Sequence, residues 1–203
     1  MSVRLVERCV ILMLGFIVVS FGLTLMLQST LGMGAWGAFQ VSVAQLSGLS
    51  IGRVTQLCSV VALLLAWLLG VAPTIASFLN MVAIGFFMDI FLTILPTSET
   101  LVTHILFFTT GLFFFCFGVA VYLKAGLGSG PRESLMLAIH QRFRTSIRTS
   151  RIFVDGTMLV ASVLLRGPIG LGTIVHTISC GPLIQFFMDL LSVDSRQIEP
   201  ASF

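Results

Sequence analysis

Two short stretches carry the residue types that could do chemistry in this chain: "LGMGAW", with Gly32 and Gly34, and "LGSGPRE", with Gly128, Gly130, Pro131 and Glu133. Proline suits the first position of a helix, where its missing N–H costs nothing. Gly130 then stands as the cap and Glu133 at the third position, so the second stretch is a helix start. A helix that starts inside a membrane presents unpaired N–H groups and the positive end of its dipole. These must be met by water, by protein or by an anionic ligand. The glycines have a second use, which is to let helices turn tightly or pack closely. Both uses stay open at this point.

Ionisable and polar side chains within apolar runs add four positions. Asp89 in "GFFMDIFL" is a candidate proton carrier, or a carboxylate that snorkels to the interface. Asp155 follows Arg151 by four residues, so the two meet on one helix face and neutralise each other. Asn80 in "SFLNMVAIG" and His176 in "GTIVHTISCG" suit either a polar lining or hydrogen bonds between helices. The residues proposed to hold a solute are therefore Gly32, Gly34, Gly128, Gly130, Glu133, Asp89, His176 and Asn80.

Complete catalytic or metal-binding sets are missing. Ser129 with His176 suggests a dyad, but the rhomboid glycine-x-serine-glycine pattern is not met, and there is no H-E-x-x-H and no aspartate pair. An enzyme is not expected, and neither a cofactor nor a metal. "GMGAWG" spells a dinucleotide fingerprint without its preceding strand or following acid. Cys9, Cys58, Cys116 and Cys180 lie in apolar runs without paired spacing, which argues against disulfides and a thiolate metal site.

The elements that position these residues follow from composition. Only 9% of residues are charged and 57% are hydrophobic, against the roughly 25% charge of soluble domains, so the chain is an all-α, polytopic helical membrane protein. Apolar runs at 9–27, 54–71, 73–95 and 102–123 match the ~20 residues that cross a bilayer as helix. The first is read as a retained span rather than a signal peptide, for want of a small-residue cleavage site. Nucleic-acid binding has no support, because the basic residues are not interleaved with aromatics in a soluble segment.

Sliding the sequence by 96 residues places Gly15, Gly22, Gly32, Gly34 and Gly85 on Gly111, Gly118, Gly128, Gly130 and Gly181. In the same frame Asn80 falls on His176 and Asp89 on Gln185. The expectation is two tandem membrane repeats, 1–96 and 97–192, with a C-terminal tail at 193–203. Each half holds three long spans and one short broken or re-entrant helix, making six long transmembrane helices and two short ones. If the short helices do cross, the count is eight and the halves are parallel.

Arginines at 142, 144, 148 and 151 form a topology anchor against anionic lipid and put both termini in the cytoplasm, whichever count holds. Expected partners are the lipid bilayer, a small solute or proton and, left open, a second copy of the chain.

"GMGAWGAFQVSVAQLSGLSIG", "IASFLNMVAIGFFMDIFLTILP", "AGLGSGPRESLMLAIHQRF" and "GPIGLGTIVHTISCGPLIQFFMDL" together resemble the YczE-like branch of the YczE/YyaS/YitT bacterial membrane proteins, from about residue 9 to 192. Members of that branch usually carry Pro-Trp-Asp in the first break, where this chain has Ala35, Trp36 and Gly37; Glu133 keeps the acid of the second break. The resemblance implies a bacterial inner-membrane fold and names no substrate. The functional expectation is a small solute transporter or channel-like permease. The alternative is a non-transporting accessory protein that acts through helix packing with a partner.

Overall fold

The computed structural model describes residues 2–193, with side chains from Leu5 onward. Ten of the eleven residues of the expected tail, 194–203 with Arg196, lie outside the described residues. Eight helices form among the described residues: α1 (Ser2–Gln28), α2 (Ala35–Ser47), α3 (Ile51–Leu68), α4 (Ile75–Ile94), α5 (Leu101–Lys124), α6 (Pro131–Phe143), α7 (Ile147–Leu164) and α8 (Leu171–Leu190). No strand occurs among the described residues. The bounds of α2, α3 and α4 shifted by 96 are those of α6, α7 and α8.

Five of the eight helices are long and apolar enough to cross a membrane: most of α1, then α3, α4, α5 and α8. The six long spans expected from the sequence are therefore five by this measure. The difference is α7, whose 18 residues include Arg148, Arg151 and Asp155. Its charges are used inside the protein, as described below.

Glycine decides the central contact. A Cβ on Gly22 would stand 2.6 Å from the Gly111 carbonyl, and one on Gly118 would stand 2.7 Å from the Val19 amide. The α1 and α5 backbones thus touch, as small residues allow where lipid gives no hydrophobic drive for association. Higher numbers on α1 meet lower numbers on α5, so the two helices are antiparallel. Around this pair, α4 runs parallel to α1, through Ser20–Ile84 and Gln28–Leu95. Likewise α8 runs parallel to α5, through Phe108–Gly172 and Cys116–Cys180.

Each break crosses over to the fourth helix of the other half. The Leu31 carbonyl accepts from the Gly172 amide at 2.8 Å, and the Leu127 carbonyl accepts from the Ala76 amide at 3.4 Å. Gly32 and Gly128 have φ of 110° and 112°, a region that side chains rarely enter. A Cβ on Gly32 would meet Thr173, and one on Gly128 would meet Thr74. In both cases the chain leaves a long helix, turns sharply against its neighbour and starts a short helix partway down the bundle.

Outside this core the halves differ. Between α3 and α4, Gly52 and Gly85 pack backbone to backbone: a Cβ on Gly52 would stand 2.1 Å from the Gly85 carbonyl. In the other half a Cβ on Gly181 or Gly156 would meet nothing within 4 Å. The equivalent helices, α7 and α8, stand apart there.

Candidate functional site

Three helices, α2, α6 and α8, start on a glycine with no side-chain cap bond, and of these the two short ones start at the cavity. Ser50, Thr74, Thr100 and Ser146 each cap their own helix, α3, α4, α5 and α7, by accepting from a first-turn amide. Gly34 and Gly130 have no side chain to do so for α2 and α6. The first intrahelical bonds run from the Ala38 amide to the Gly34 carbonyl and from the Ser134 amide to the Gly130 carbonyl. The amides of Trp36, Gly37, Arg132 and Glu133 precede those bonds, so each start keeps orphan donors.

Both starts face one cavity of about 100 Å³, well above the ~10–15 Å³ that a single water needs. Val19 and Leu23 of α1 form one wall, and Phe115, Val119 and Tyr122 of α5 another. Thr55 and Ser59 of α3 and Gln40 of α2 add polar groups. The lining is thus mostly apolar with a few convergent polar atoms, which is the usual make-up of a small-molecule site.

Of the residues proposed from the sequence, Gly34, Asn80, Glu133 and His176 line this cavity. Gly130 adjoins it: a Cβ there would stand 2.6 Å from Glu133 Oε2 and 3.2 Å from Asn80 Nδ2. Gly34 stands in the matching position against the His176 ring. Gly32 and Gly128 lie at the turns behind the two starts and not in the lining.

Asp89 is placed elsewhere. Its carboxylate accepts from the Gly52 amide at 2.8 Å and from the Ser50 hydroxyl at 2.6 Å, at the start of α3. A carboxylate there meets the orphan amides and dipole of that helix. Gln185, its counterpart in the sequence frame, is exposed and donates to Asp189 at 2.8 Å. Of the two polar pairs expected to form a lining, Asn80 with His176 does so and Asp89 with Gln185 does not. Ser129 bonds to Ser134 at 3.1 Å and lies away from His176, so no Ser-His dyad forms.

Arg132 is the main residue to which the sequence assigns no role of its own. Its Nη2 donates to both oxygens of Asp155 at 2.6 Å, whereas Arg151 stands 3.7 Å from the same carboxylate. The expected Arg151–Asp155 pairing is therefore secondary, because α6 delivers a closer cation. The remaining arginines of the cluster, Arg142, Arg144 and Arg148, are exposed. Arg132 Nε and Thr55 Oγ1 are buried without a partner, and both residues line the cavity.

The sequence that builds this site has relatives. Residues 6–189 match a family described as "Family of unknown function (DUF6198)". The chain belongs to this family. It is 36% identical over 188 residues to the "Uncharacterized membrane protein YczE" of Bacillus subtilis (strain 168), covering 92% of this chain and 87% of that one. It is 31% identical to an uncharacterized protein of Haemophilus influenzae, covering 90% and 84% of the two chains. It is 29% identical to the "Uncharacterized protein YyaS" of Bacillus subtilis, covering 88% and 90%. The YczE-like resemblance read from the motifs thus holds, and with it the assignment to a membrane. No solved structure matches the chain.

Proposed function

We propose that this member of the DUF6198 family moves a small solute across the membrane through the cavity between α2 and α6. One observation carries the reading: two helix starts without side-chain caps, from opposite halves of the chain, open on the same cavity. Discontinuous helices at matching positions of two repeats are a recurrent way to build a solute site at mid-membrane.

The antiparallel α1–α5 pair favours inverted halves, each a duplicate of the other, with α2 and α6 re-entrant and α7 crossing as a sixth span despite its charges. The cytoplasmic termini follow from the exposed arginines at the α6–α7 turn. In this reading α7 crosses with Asp155 neutralised by Arg132 and Arg151, which lowers the cost of its charges in the membrane. No chemistry on the solute is part of the reading.

The accessory role has its own support, in Gly156 and Gly181. These helical glycines face open space, as they would if a partner helix packed there. Permeability separates the two readings. Purified protein in liposomes is expected to pass at least one small polar solute that protein-free liposomes retain. Gly34→Leu, which drives a side chain into the His176 ring and the cavity, is expected to abolish this while still inserting. Liposomes holding folded wild-type protein that stay tight to every solute of a broad panel favour the accessory role.

A further inference from the structure

Several donors around the cavity lack a partner. The unpartnered groups include Thr55 Oγ1, Arg132 Nε and the first-turn amides at the two helix starts. Thr55 is 6% exposed and lines the cavity, and its buried hydroxyl has no hydrogen-bond partner among the described residues. Amides and guanidinium groups can only donate, and a hydroxyl can do so. The one carboxylate in the lining, Glu133, belongs to the start of α6 and folds back over Gly130 beside Asn80. At α2 the corresponding third position is Gly37, which carries no side chain. One helix start thus has a resident carboxylate close by, and the other has none.

Charge points the same way. Asp155 pairs with Arg132 and Arg151, and Glu133 stands at the α6 start, which leaves the positive end of α2, worth about half a charge, without a counterion. Helix starts with free amides are anion sites in general. The small volume limits the ligand to a few heavy atoms.

We infer that the start of α2 binds a small monovalent oxyanion of the carboxylate or nitrate kind, held by the Trp36 and Gly37 amides, Thr55 and Arg132. The inference rests on the solute site proposed above and names its chemical class. Glu133 is the internal counterpart of this ligand at the other helix start, so its charge opposes binding.

Trp36 lies in the lining and the other tryptophan, Trp67, is 63% exposed on the outer surface. A Trp67→Phe protein in detergent therefore reports on the site through Trp36 alone. Sodium formate, acetate and nitrate are titrated at constant sodium, balanced with gluconate, which is too large to enter. Acetamide and tetramethylammonium gluconate serve as the neutral and cationic probes. Thermal unfolding is followed in parallel.

A saturable signal or a rise in Tm with the small anions alone is expected. Thr55→Val should weaken it three- to tenfold, and Glu133→Gln should tighten it by a similar factor. A response to acetamide equal to that of acetate, a response to tetramethylammonium instead, or no response by either method in folded protein would overturn the inference. Anion binding without flux in liposomes would sink transport and leave this site standing. Flux of a neutral or cationic solute without anion binding would do the reverse.

Discussion

Gly34 and His176 meet across the two halves of the chain: a Cβ on Gly34 would stand 2.5 Å from both Cε1 and Nδ1 of the imidazole. The matching contact, Gly130 with Asn80 and Glu133, is made to flexible side-chain ends. Gly34→Ala must therefore displace a ring packed against Phe115, while Gly130→Ala can be met by rotating Glu133. Gly34→Ala is expected to cost about 1–3 kcal/mol, and Gly130→Ala clearly less. Thermal unfolding of the two variants in one detergent checks the order.

The Arg132–Asp155 pair makes a second prediction. Both side chains are 19% exposed, so removing either partner leaves a largely buried charge. Asp155→Asn leaves two arginines facing each other, whereas Arg132→Met leaves Asp155 with Arg151. Asp155→Asn is expected to lose about 3 kcal/mol and Arg132→Met less. A double-mutant cycle should return a coupling well above the ~1 kcal/mol of surface pairs. Additive losses would mean that the pair does not form in the membrane.

Gly52 and Gly181 test the difference between the halves. Gly52→Ala presses a methyl on the Gly85 carbonyl and the Asp89 carboxylate, neither of which can yield without parting α3 from α4. A loss of about 2–3 kcal/mol is expected. Gly181→Ala meets nothing and removes a helix-weakening glycine, so stability should hold or rise by up to about 1 kcal/mol. Equal losses at both positions would show that α7 and α8 close together as α3 and α4 do.

Asp89 serves the start of α3, not the cavity. Asp89→Asn retains the shape but weakens two charge-assisted hydrogen bonds, at a cost of about 1–2 kcal/mol. Solute permeability or binding per folded molecule should not change. A loss of function without a loss of stability would put Asp89 in the solute path after all.

Helix starts and glycines were the legible part of the sequence. "GSGPRE" spelled a Gly-capped, Pro-led helix, and α6 begins at Pro131 with Gly130 as its cap. Of the coincident glycines, Gly15, Gly22, Gly111 and Gly118 mark backbone contacts between α1 and α5, whereas Gly181 meets nothing. They carried no direction in space, so only the antiparallel α1–α5 contact speaks to how the halves lie. The role of Arg132 was hidden because its partner, Asp155, lies on another helix, while Arg151 sits at the spacing that helix geometry favours. Thr55 gave no signal at all. Its counterpart 96 residues on is Arg151, so matching like residues between the halves passes over it.

A solute site requires that the cavity between the α2 and α6 starts be wet and open to solutes. Thr55→Cys in a protein stripped of its four native cysteines tests this most directly, with Val60→Cys on the outer face of α3 as the lipid-facing control. A thiol reacts through its thiolate, which forms in contact with water and not in hydrocarbon. In intact vesicles, iodoacetamide is expected to modify Cys at position 55 and to leave Cys at position 60 unmodified. If both thiols stay inert in folded protein, the cavity is a sealed packing gap, and the account of a solute site fails.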